Sequence, residues 1–95
     1  MTKAALTAYA KTVALELAAK GIRCNVVAPG MVKTPLIEPT GDLTEEQLAA
    51  DEARYPLGRY GNPEDVAWAI AYLLSDASGW MTGSTIKIDG GISLV

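Results

Sequence analysis

Histidine is absent from the 95 residues and cysteine occurs once. The missing histidine removes the usual Ser-His-Asp and Cys-His arrangements for nucleophilic catalysis, and one thiol with scattered carboxylates does not make a metal-ligand set. No metal is expected. Cys24 has no partner in the sequence for a disulfide and lies in the apolar run "IRCNVV", which suits a buried thiol in a reducing compartment, so cytoplasm is the expected location. A one-sided basic stripe is also lacking. Eight basic residues are scattered against eleven acidic ones, for a formal net charge of -3, which argues against nucleic acid as a partner. Apolar runs are broken by Pro, Gly or charge well short of the roughly 20 residues that a membrane span needs. The N-terminus has no basic-then-apolar layout of a signal peptide, and no membrane partner is expected.

What is present is an ordinary globular composition, 49% hydrophobic, sized for one small domain. Leu6, Ala10, Val13, Ala14 and Leu17 recur at helical spacing and predict an amphipathic helix over 3–20, closed by Gly21. "IRCNVVAPG" then reads as a strand over 22–28, stopped by Pro29-Gly30. Residues 30–43 show no sustained period and read as a loop, long enough to suggest a functional one. Thr44, with Gln47 three residues later, forms a capping box for a short acidic helix reaching about Tyr55. Asn62 as N-cap, Pro63 at the first helical position, and Glu64 and Asp65 in the first turn open a helix over 63–75. Its apolar side (Val66, Ala67, Ile70, Leu73, Leu74) is wide enough to be buried on more than one face. Ile86 and Ile88 alternate with Thr85, Lys87 and Asp89, as in a strand over 84–88 with one buried face.

About three helices and two strands, in helix-then-strand order, make an α/β pattern with a parallel sheet. Two strands are too few for such a sheet, which normally has several strands and helices on both faces. The expected fold class is therefore the C-terminal part of a Rossmann-like doubly wound parallel sheet, incomplete on its own. Residues 1–95 would form one partial domain.

Lys3 is a separate puzzle, because a first-turn lysine opposes the positive end of the helix dipole. "TKAAL", "ELAAKGIRCNVVAPGMVKTPL", "PLGRYGNPEDVAWAIAYLLSD" and "MTGSTIKIDGG" together resemble, in order and spacing, successive segments of the classical short-chain dehydrogenases/reductases. The resemblance runs over essentially the whole chain. It implies that Lys3 matches the catalytic lysine, whose tyrosine lies four residues earlier and would fall before residue 1. In this light Met1 is expected to be an internal methionine. The ammonium would favour the tyrosine phenolate and hold the ribose hydroxyls of the cofactor. Tyr9 lies nearly two turns downstream and does not replace that tyrosine.

The same resemblance implies cofactor contacts from "PGMVKTP": Pro29 and Gly30 shape the turn, Val32 offers backbone groups to the nicotinamide carboxamide, and Thr34 a hydroxyl near the carboxamide or pyrophosphate. Residues 35–57 match the variable substrate lid. Asp89-Gly90-Gly91 matches the turn after the last strand. Arg59 reads as a structural or interface charge, and Trp68 and Trp80 as packing residues, at interfaces where large rings are enriched. The implied function is hydride transfer between NAD or NADP and a small-molecule alcohol or carbonyl. The family's serine, asparagine and glycine-rich pyrophosphate turn have no counterpart in residues 1–95, so the isolated chain is expected to be inactive. Retained interface helices predict a homo-oligomer and leave open the alternative of a non-catalytic assembly module.

Overall fold

The structure is a computed structural model that describes residues 2–34 and 43–95. Its regular elements are α1 (Lys3–Leu17), β1 (Val26–Pro29), α2 (Glu45–Ala53), α3 (Pro63–Leu74) and β2 (Thr85–Ile88), with single 3-10 turns at Ala18–Lys20, Asp76–Ser78 and Ile92–Leu94. The strands pair in one two-stranded sheet. Acceptors climb from Ser84 to Ile88 as donors climb from Val26 to Gly30, so the pairing is parallel. The chain divides into two compact units, Met1–Ala28 with Trp68–Ile86, and Pro29–Ala67 with Lys87–Val95.

In the first unit, the Thr2 hydroxyl accepts the Ala5 N–H at 3.1 Å and caps α1. One of the orphan donors at that helix end is thereby satisfied without an acidic residue in the first turn. Gly21 closes the following 3-10 turn at φ 73°, where a side chain would be strained. Ala10 and Ala14 are the buried residues of α1. Their small size permits close approach: a Cβ built on Gly83 would lie 3.6 Å from that of Ala14.

β1 is shorter at its start than the strand expected over 22–28. Residues 23–25 are instead held mainly by side-chain bonds. Arg23 Nη1 donates to Ser78 O and Oγ (both 3.0 Å) and Met81 O (3.2 Å), and Nη2 to Leu73 O (3.0 Å) and Ser75 O (3.2 Å). Asn25 donates to Met81 O and accepts from the Ser84 N–H, and Cys24 N–H donates to the Thr82 hydroxyl. The guanidinium thus gathers the carbonyls that end α3 and begin the next turn, placing a cation where the helix dipole is negative. Ser78, 1% exposed, donates its hydroxyl into the same cluster.

Burial elsewhere is sparse. No residue of α3 is buried, although a helix buried on more than one face was expected. Trp68 and Trp80, expected to pack, are 76% and 100% exposed. Cys24 is only half-buried, because with Val27, Ile70 and Leu73 it lines an open groove of about 610 Å³. A two-stranded sheet has too little area to cover these faces, as expected of an incomplete doubly wound fold.

Candidate functional site

In the second unit, three segments meet beyond the carboxyl ends of both strands: the loop 29–34, the turn 55–61 and the turn 88–91. Ligands of parallel α/β sheets lie at this end. α2 leads into the site. Its N-cap Thr44 and Gln47 form the reciprocal capping box, and Tyr55, two residues past its end, is buried. Residues 35–42 of the expected lid lie outside the described residues.

The loop is fixed almost entirely through its backbone. Gly30 N–H donates to Ile88 O at 3.0 Å, Met31 N–H to Tyr55 Oη at 3.1 Å, and Lys33 N–H to Gly61 O at 2.8 Å, while Met31 O accepts from Gly61 N–H at 2.9 Å. Val32 and Gly61 form a parallel bridge. Gly61 therefore holds the peptide on each side of Val32. Because a trans peptide points its N–H and C=O oppositely, the Val32 N–H and C=O must face away from Gly61. Among the described residues neither group has a hydrogen-bond partner.

Gly30 lies in close approach to its neighbours. A Cβ there would stand 3.1 Å from both Asp89 Cα and Cβ and 3.2 Å from Tyr55 Cε2. Pro29 ends β1 and is exposed, as is Thr34. Lys3 stands exposed in the first turn of α1, in the other unit. The structure thus gathers Pro29, Gly30, Val32 and Thr34 in one loop and holds Lys3 on a separate element.

Two tyrosines that sequence reasoning passed over support the loop. Tyr55 and Tyr60 meet edge to face with centroids 5.3 Å apart. Tyr60 Oη donates to Asp51 Oδ2 at 2.5 Å, and its backbone N–H donates to Glu52 Oε2. Burial, and then the Asp51 carboxylate, push the Tyr60 hydroxyl up to about 12. Glu52 also faces Lys33, 3.7 Å away. The local signal was an Asp51-Glu52 pair on the inner side of α2, but helical periodicity does not register a carboxylate turned toward a tyrosine eight or nine positions on.

Arg59, read as a structural charge, pairs with Asp65 at 2.9 Å and donates to Tyr60 O. Its hydrogen bond, followed by one from the Asn62 N–H, holds the Asp65 carboxyl below its ordinary range. The Asp89 carboxyl is likewise lowered by the Ser93 hydroxyl and the Gly91 N–H. Met31, Val32, Arg59, Asp65, Ile88 and Asp89 help line a cavity of about 180 Å³. That is below the roughly 300–1,000 Å³ of a small-molecule pocket, and its guanidinium is already paired. The loop, by contrast, carries the N–H and C=O of Val32, unmatched among the described residues. Among the described residues no cluster of His, Cys, Asp and Glu could hold a metal ion, and no helix is long and apolar enough to cross a membrane.

Known proteins share both the sequence and the fold. A family model described as enoyl-(acyl carrier protein) reductase matches residues 1–93. The chain is 44% identical over 94 residues to a 3-oxoacyl-[acyl-carrier-protein] reductase of Rickettsia conorii, covering 99% of this chain and 38% of that protein. It superposes on a short-chain type dehydrogenase/reductase from Mycobacterium marinum with a TM-score of 0.84 at 45% identity, covering 98% of this chain and 35% of the other. It also superposes on the ligand-free aldohexose dehydrogenase of Thermoplasma acidophilum with a TM-score of 0.85 at 31% identity, covering 98% and 39%. The chain therefore spans well under half the length of the relatives it matches, in their C-terminal part. With its parallel α/β pairing and its sequence in agreement, this chain belongs to the short-chain dehydrogenase/reductase family, in the group that the matching model describes as enoyl-(acyl carrier protein) reductase.

Proposed function

We propose that residues 1–95 supply the nicotinamide-side loop and the lysine of an NAD(P)-dependent oxidoreductase that interconverts an alcohol and a carbonyl. The observation that carries this reading is the pair of Val32 backbone groups, held facing away from Gly61 and unmatched among the described residues. One donor and one acceptor on the same side of one residue suit a primary carboxamide, which has an acceptor oxygen and a donor nitrogen. Gly30 supports the fit, since a Cβ there would sit tightly against Asp89 and Tyr55, at 3.1–3.2 Å.

When bound, the dinucleotide would give a hydride to the carbonyl carbon in its reduced form, or take one from the carbinol carbon in its oxidised form. Val32 would fix the carboxamide, and so which ring face meets the substrate; Thr34 adds a hydroxyl at the edge of the same loop. Lys3 would hold ribose hydroxyls and favour the phenolate of a tyrosine four residues earlier, a position outside residues 1–95. That tyrosine would move the proton at the substrate oxygen. A 3-oxoacyl-[acyl-carrier-protein], for which one relative is named, is the first carbonyl substrate to try, with an aldohexose, for which another is named, as the contrasting class. The chain by itself is expected to be inactive.

Val32→Pro is the decisive substitution, because it removes an N–H that the fold does not use while leaving the Met31 O and Lys33 N–H bonds available. In the ¹⁵N-labelled chain, NADH or NADPH should shift the Val32 amide, and saturation transfer should reach the nicotinamide ring protons. Val32→Pro should abolish that transfer while changing stability by less than about 1 kcal/mol. The reading fails if neither dinucleotide moves Val32, the result predicted by a non-catalytic assembly module, or if Val32→Pro leaves the transfer intact.

A further inference from the structure

We propose that Tyr55 is a positioning residue for the nicotinamide-side loop, acting through its hydroxyl on the Met31 amide; this rests on the reading of Val32 given above. The loop 30–33 is fastened by bonds from two sources. Gly61 and Ile88 contribute backbone groups, whereas Tyr55 Oη is the side-chain atom among the described residues that binds the loop backbone. It takes the Met31 N–H and thereby fixes the Gly30–Met31 peptide. The next peptide is the one whose N–H belongs to Val32.

The ring is as constrained as the hydroxyl. A Cβ on Gly30 would meet Tyr55 Cε2 at 3.2 Å, and one on Gly90 would meet Cδ2 at 3.3 Å, so the phenol lies against two glycine backbones. Its edge-to-face contact with Tyr60 supports another side, and Tyr60 is itself tied to Asp51 and Glu52 on α2. Little rotamer freedom is left to Tyr55, and the position of its oxygen is inherited from α2. With the hydroxyl in place, the peptide ahead of Val32 is oriented before any ligand arrives, and the ordering cost that binding would otherwise carry is reduced. A segment expected to serve as substrate lid thus ends on a side chain that orders the cofactor-side loop.

Tyr55→Phe removes the oxygen and keeps the ring, and Tyr55→Leu removes both. In the ¹⁵N-labelled chain, with NADH and NADPH as probes, Tyr55→Phe should raise the exchange rate of the Met31 amide and weaken the dinucleotide-induced shift at Val32 by about 5-fold in apparent affinity, the equivalent of one ordinary hydrogen bond. Its thermal midpoint should fall only by the one hydrogen bond lost, and that of Tyr55→Leu should fall further. A purely structural role predicts that Tyr55→Phe binds normally and only Tyr55→Leu is impaired; that result overturns the proposal. Faster Met31 exchange with unchanged affinity at Val32 overturns it as well, while leaving the Val32 reading standing. No Val32 shift in the unsubstituted chain removes the Val32 reading and this proposal together.

Discussion

The two units of the chain are held by opposite means. In the first, one cation, Arg23, collects carbonyls from Leu73, Ser75, Ser78 and Met81, and the buried Ser78 donates its hydroxyl there too. In the second, backbone bonds and two tyrosines in edge-to-face contact fix a loop around glycines, and Val32 is left with two polar groups unmatched among the described residues. The Arg23 cluster spends its polar groups on one another and serves to hold the fold. One that is equally fixed yet leaves a donor and an acceptor facing outward has groups free for a ligand, and this is why the proposed cofactor-side loop is that of the second unit.

The largest test of this contrast is Arg23→Met. Methionine keeps much of the aliphatic length but leaves the carbonyls at the end of α3 without their cation, and hydrogen bonds to charged groups are the stronger ones; the expected loss is about 3 kcal/mol. Urea unfolding gives the magnitude, and amide exchange gives the location. Protection should fall first in residues 22–26 and 73–84, whereas an equal loss at Met31 and Lys33 would show that the two units do not differ in what holds them.

Gly91→Ala strikes the second unit by a different route. Gly91 has φ +91°, and an alanine Cβ there would come 2.9 Å from Pro56 Cγ and 3.0 Å from its Cβ. Backbone strain and overpacking together should cost about 2–3 kcal/mol. The expected signature in thermal unfolding and amide exchange is a lower midpoint with early loss of the Leu57 amide, which bonds to Gly90 O. A midpoint unchanged from the parent would mean that the turn 88–91 is not the rigid wall the loop rests on.

The sequence carried the parts of this architecture that are local. The α/β class, its incompleteness, the Thr44–Gln47 capping box and the closing role of Gly21 each depend on residues a few positions apart, and the structure has all four. What escaped is the pairing of distant groups. Arg23 sits in a run that looks like a strand, and its acceptors lie 50–58 positions away; no period could reveal that the strand begins only at Val26. Tyr55 and Tyr60 flank a Pro-Leu-Gly turn, where the turn chemistry masks two buried rings. Trp68 and Trp80 are expected to pack at interfaces; both are exposed in the single chain, and no described residue covers Trp80. The loop residues Pro29, Gly30, Val32 and Thr34 were named through resemblance. The bond pattern that makes Val32 different from its neighbours depends on Gly61, 29 positions away.

The smallest expected effect concerns Tyr60, and its pH dependence makes it specific. Tyr60 is 4% exposed and its hydroxyl donates to Asp51, so the neutral phenol is favoured by burial first and by the carboxylate second. Its folded value of about 12 lies above the ordinary 10.0. The stability this provides is fully present below pH 10 and is lost as pH rises through about 12, because the unfolded chain gives up the proton first. Tyr60→Phe keeps the ring against Tyr55 and removes both the hydrogen bond and the titration. At pH 8 it should cost about 1 kcal/mol, and the gap between parent and variant in urea midpoint should close between pH 10 and 12. A pH-independent gap would show that the Tyr60 hydroxyl is not buried against Asp51. A gap that closes together with faster exchange at Met31 would place Tyr60 where the geometry puts it, behind Tyr55 and in support of the loop.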